Sequence, residues 1–67
     1  MNEIMRKRLK ESLGKTILIF LNNNFRYEGK LTGSDERYIE MLDFKTNSYK
    51  VIAIKEVKDL EVKNEES

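Results

Sequence analysis

The sequence predicts a mainly β protein, a short N-terminal α-helix followed by a strongly bent, five-stranded antiparallel barrel. Two observations carry that expectation. Apolar residues Ile4, Met5, Leu9 and Leu13 recur at helical spacing, and from Lys15 onward the pattern changes to short β-branched and aromatic runs separated by polar turns. Gly29 and Gly33 both fall inside the longest of those runs. Several short strands share one core in 67 residues only if the second strand bends sharply and the sheet wraps on itself, and glycine permits that bend where a side chain collides.

The elements follow in order. A helix is expected over about residues 2–13, with Glu3 near the positive end of its dipole and Gly14 placed to cap its C-terminus. Lys15–Leu21 reads as the first strand and Phe25–Gly33 as the second, alternating through Phe25, Tyr27, Gly29 and Leu31. Asn22-Asn23-Asn24 makes the turn between them, because Asn tolerates positive φ. After a bend at Ser34-Asp35, Arg37–Leu42 is the third strand; Phe44–Ser48 turns the chain into Tyr49–Ile54, and Val57–Val62 completes the set. The barrel therefore spans about residues 15–62, the chain 1–67 is one domain, and residues 63–67 are expected to fray.

Composition removes whole classes of function. The chain contains neither Cys nor His, so disulfides and Cys/His metal sites are excluded, and no acidic cluster has the spacing of a metal loop. A serine nucleophile lacks a base: Ser12, Ser34, Ser48 and Ser67 have no companion motif, so no enzyme and no cofactor is expected. The longest apolar run, Ile17–Leu21, is too short to cross a bilayer, and the basic N-terminus is not followed by an apolar segment, so a cytoplasmic protein without membrane contact is expected. A chain this short buries only about 60% of the surface its unfolded form exposes, and oligomerisation is the remaining common remedy.

Net charge is +1 but unevenly placed. The first ten residues hold Arg6, Lys7, Arg8 and Lys10 against Glu3, whereas residues 56–67 hold Lys58 and Lys63 against Glu56, Asp59, Glu61, Glu65 and Glu66. The basic end attracts phosphates; the acidic end does not.

The stretch from Gly14 to Asp43, with the spacing Gly29-x-Leu31-x-x-x-Asp35 behind an apolar strand and a tight Asn turn, resembles the first signature of the Sm and Sm-like (LSm) family, whose bacterial branch is Hfq. The likeness runs from about Leu9 to Val62. It takes in the Gly14-Lys15 entry to the first strand, Gly33, the Ile39-x-Met41 third strand, and Val51-Ile52-Ala53-Ile54 followed by Val57 and Leu60. It implies an Sm-like (SH3-like) barrel in which the fourth strand of one subunit pairs with the fifth of its neighbour, closing a homo-oligomeric ring of about six or seven subunits. The interface residues so implied are Tyr49, Val51, Ile52, Ile54, Val57, Leu60 and Val62. An edge strand as apolar as Val51–Ile54 is an aggregation hazard unless a neighbour satisfies it, which supports the same arrangement on physical grounds.

The resemblance also implies a partner, single-stranded RNA rich in uridine or adenine, bound at the pore. The residues it assigns to that site are Asp35, Arg37, Ile39 and Lys55, with Arg6, Lys7, Arg8 and Lys10 as a secondary basic surface. Three departures bear on it. Where the family usually has a base-binding Asn this chain has Ile39; where it often has a stacking aromatic or His it has Arg37, whose planar guanidinium can stack and neutralise phosphate; and where it has Arg-Gly or Lys-His it reads Lys55-Glu56. Asp35 is expected to accept hydrogen bonds from turn N–H groups, and Tyr27 and Tyr38 to be core or interface aromatics ahead of stacking ones. The leading expectation is an RNA-binding ring acting in RNA metabolism or ribonucleoprotein assembly. The alternatives are a protein–protein assembly module whose RNA site has decayed, and an unrelated SH3-like barrel that adds a peptide strand to its edge.

Overall fold

A computed structural model describes residues 3–63; the start of the expected helix at residue 2 and the tail 64–67 lie outside the described residues. The helix, α1, runs Glu3–Glu11, followed by strands β1 Thr16–Leu21, β2 Arg26–Ser34, β3 Tyr38–Asp43 and β4 Ser48–Ala53. A 3-10 turn at Ile54–Glu56 then leads into β5 Val57–Val62. All pairings are antiparallel and the order across the sheet is β4-β3-β2-β1-β5. The expected barrel is thus an open five-stranded sheet, with β4 and β5 as its two edges.

The sheet nevertheless curls around one core. Ile17, Ile19 and Leu21 of β1, Leu31 of β2, Ile39 and Met41 of β3, Ile52 of β4 and Leu9 of α1 are buried in a single cluster, and Val57, Leu60 and Val62 of the other edge pack on it. Alternation from Ile17 along β1 and from Tyr38 along β3 creates that face. The 3-10 turn ties the curl together. Its Ile54 N–H donates to the carbonyl of Arg37, the residue just before β3, while its Lys55 and Glu56 carbonyls accept from the side-chain amide and the N–H of Asn22 in the first hairpin turn, at 2.8, 3.2 and 2.9 Å.

Gly29 is required by close approach. A Cβ there would collide with the carbonyl oxygen of Leu42, across the β2–β3 ladder. Gly33 differs from the expectation: it lies where the register shifts between Leu31 and Gly33, but a Cβ would meet only the Glu40 side chain at 3.7 and 3.9 Å, an ordinary contact. The bend therefore rests on the bulge and on Gly29.

The helix stops two residues short of the expected end. The hydroxyl of buried Ser12 donates to the Arg8 carbonyl at 2.6 Å, the Lys15 N–H donates to the Ser12 carbonyl, and Gly14, at φ 83°, hands its N–H to Leu31 in β2. These bonds pull the chain out of the helix and onto the sheet, so Gly14 shapes the entry turn beyond the helix end. Only Met5 and Leu9 of the apolar set face the core; Ile4 is exposed one residue around the helix and Leu13 is exposed beyond its end. Lys63, expected in the frayed tail, is held: its N–H donates to Thr16 and its ammonium bridges Glu28 at 2.6 Å.

Candidate nucleic-acid interface

The β2–β3 turn is built by Asp35. Its Oδ1 accepts the backbone N–H groups of Arg37 and Tyr38, each at 2.8 Å, while its own N–H donates to the Tyr38 carbonyl at 2.9 Å. These bonds fix an Asx turn, the structural role expected of Asp35. The two N–H donors, Arg37 first, hold the Asp35 carboxyl below the ordinary carboxylate value, with a lesser contribution from the Arg37 charge.

That turn presents Arg37 next to the 3-10 turn. Arg37 and Lys55 are distant in sequence, yet the Ile54 N–H bond to the Arg37 carbonyl brings their segments together, and both side chains line one open cleft of about 420 Å³ with Glu36, Tyr38, Ala53 and Ile54. Lys55 forms no ion pair with Glu56 among the described residues, and Glu56 does not line the cleft. The local charge is two exposed cations against the single carboxylate of Glu36.

Tyr38 belongs to this wall. It is half-exposed and paired with Ala53, because β3 turns Ile39 and Met41 inward and so sends Tyr38 and Glu40 outward. A stacking role ranked second for Tyr38 on sequence grounds; its position between Arg37 and a buried Ile39 was the available signal for placing it outside the core.

Ile39 leaves the candidate set. Its side chain is completely buried in the core, so it has no surface with which to meet a ligand. The same holds for two residues of the expected interface: Ile52 and Ile54 are buried within their own chain, and a partner can reach only their backbone. Tyr49 and Val51 are exposed on the outward face of β4, and Val57, Leu60 and Val62 are partly buried at the β5 edge. Arg6, Lys7, Arg8 and Lys10 are exposed on α1, and Arg6 and Lys10 border a small recess with Ser34, Asp35 and Glu36. Two of the four therefore sit beside the turn that carries Arg37.

No family model and no curated protein matches the chain. No helix among the described residues is long and apolar enough to cross a membrane.

Proposed function

We propose that this chain is an RNA-binding protein with an Sm-like, strongly bent five-stranded sheet, assembled as a homo-oligomeric ring of about six or seven copies that holds single-stranded RNA at its pore. The observation that carries the reading is the convergence of Arg37, Tyr38 and Lys55 on one cleft, positioned by Asp35 and by the 3-10 turn. Cations for phosphate and flat side chains for base faces are the two parts of a sequence-tolerant single-strand site. Support for assembly comes from the sheet order, which leaves β4 and β5 as unlike free edges available to a neighbouring copy. Ring symmetry then repeats the cleft once per subunit, so a weak contact gains by multivalency.

With Ile39 buried, no amide reaches a base edge from that position, and recognition rests on stacking and phosphate attraction. Binding of short uridine-rich and adenine-rich oligonucleotides, measured by fluorescence anisotropy across a salt series, tests this. Affinity is expected to fall with ionic strength at a slope reporting a few phosphates per protomer, and Arg37→Ala and Lys55→Ala are each expected to weaken it without changing assembly mass. If both variants bind as wild type does, the cleft is unused, and the fold serves as a protein-assembly module instead.

A further inference from the structure

The cleft that carries Arg37 and Lys55 holds one group that stacking and phosphate attraction leave unused. Glu36 is exposed and lines the cleft beside them, and its carboxylate makes no ion pair and no hydrogen bond among the described residues. The backbone around it is already engaged. The Asp35 carboxylate takes the N–H groups of Arg37 and Tyr38, the Asp35 N–H meets the Tyr38 carbonyl, the Ile54 N–H meets the Arg37 carbonyl, and the Asn22 amide meets the Lys55 carbonyl. Reading a base edge is therefore left to side chains.

Those side chains are unequal readers. Arg37 and Lys55 only donate, and their charges serve the phosphates of any strand; the Tyr38 hydroxyl both donates and accepts, and rotates to suit its partner; Ala53 and Ile54 are apolar. Glu36 is the one pure acceptor lining the cleft. Guanine sets N1–H and N2–H side by side on its Watson–Crick edge, two donors for two carboxylate oxygens. Adenine and cytosine each set one amino group beside a ring-nitrogen acceptor, and uracil sets its single N3–H between two carbonyl oxygens. All three bring an acceptor against a group that has no proton to give.

We propose that Glu36 makes this cleft selective for guanine in single-stranded RNA, its carboxylate accepting from N1–H and N2–H of a base stacked on Arg37 or Tyr38 while Lys55 meets the phosphate. The proposal rests on the RNA reading above and replaces the uridine or adenine that the family resemblance implies. The same carboxylate opposes the phosphate backbone, so it lowers affinity for every strand while favouring one base. Both effects vanish with the charge.

The test uses the full chain and fluorescein-labelled RNA of about seven nucleotides, uridine throughout or with the central base replaced by guanine, adenine or cytosine. The guanine strand is expected to bind about tenfold more tightly than the other three. Glu36→Gln is expected to bring all four within about twofold of one another and, by removing a negative charge, to raise affinity for the all-uridine strand about twofold. A residue that only shaped the turn would weaken all four strands when replaced, so the opposite signs identify base contact. Glu36→Ala is measured alongside, a thermal melt checks that each variant folds, and if Glu36→Gln does not, Glu36→Ala decides. Four strands that bind wild type equally, yet depend on Arg37 and Lys55, overturn this inference and leave the RNA reading standing. A guanine preference that survives loss of the Glu36 carboxylate also overturns it, and absence of binding to any strand overturns both.

Discussion

The two edges of the sheet are unlike. β4 presents Tyr49 and Val51 outward, each 66% exposed, whereas β5 exposes Lys58, Asp59 and Glu61 and turns its apolar residues toward the core. Charged side chains are what proteins place on an edge to keep it from pairing with copies of itself; β5 carries three exposed ones, whereas β4 carries only the half-buried Lys50 between its exposed Tyr49 and Val51. Two β4 edges meeting about a two-fold axis would leave both β5 edges open; a β4 edge meeting the β5 edge of the next copy uses both and propagates head to tail, the geometry that closes into rings. The difference between the edges is therefore the physical content of the proposed assembly. It narrows to a pair of adjacent residues on β4, Val51 at 66% exposed and Ile52 at 7%, one available to a neighbour and one committed to its own core.

The largest expected effect breaks that pair on its buried side. Ile52→Lys puts an unpaired charge into the core at a cost of at least about 3 kcal/mol, comparable to much of the ~3–10 kcal/mol available to a chain of this length, and circular dichroism should show an unfolded protein. Gly29→Ala comes next, at about 3 kcal/mol, because its methyl group meets the backbone of Leu42, which cannot rotate away; a chemical denaturation midpoint reads the loss. Ile39→Asn, which would supply the amide that base recognition commonly uses, is expected to destabilise by about 1–3 kcal/mol without improving RNA affinity, since the side chain points into the core.

A smaller effect is pH-dependent. Backbone N–H bonds hold the Asp35 carboxyl below its ordinary value, so the turn it stabilises is fully formed above the unfolded-state value and loosens as pH falls through the lower folded-state one. Amide proton resonances of Arg37 and Tyr38 should therefore shift only at pH below the usual Asp range, and Asp35→Ala should produce the same shifts at neutral pH. Gly33→Ala is the smallest, within about 0.5 kcal/mol of wild type in the same denaturation series, because its methyl group meets only the Glu40 side chain, at ordinary contact distance.

Much of the fold was legible in the sequence because local rules decide it. Alternation placed β1 to β5 within a residue or so at each end, and Val57–Val62 at both ends. The Asn turn was legible from the tolerance of Asn for positive φ, which Asn24 adopts at 72°. What was not legible depends on partners distant in the chain. Leu13 keeps helical spacing but loses the helix because Gly14 and Lys15 exchange backbone bonds with Leu31; Gly33 looks like the bend, yet the obstructing backbone faces Gly29; and the link from Asn22 to the 3-10 turn has no sequence signal at all. At the candidate site, the Asp35 turn and the exposure of Arg37 and Lys55 followed from residue type, while Ile39 was carried in by the spacing of a motif and is excluded by strand alternation.

The edge-pairing account is tested most directly by light scattering on the wild-type chain and on Val51→Lys over a micromolar dilution series. The account predicts a wild-type mass of about six or seven times the 8.0 kDa protomer, stable on dilution, and a Val51→Lys protein that melts within a few degrees of the unassembled wild-type fold but scatters as a monomer or small oligomer. A wild-type mass of 8.0 kDa across the series, or a Val51→Lys variant that assembles as the wild type does, contradicts it.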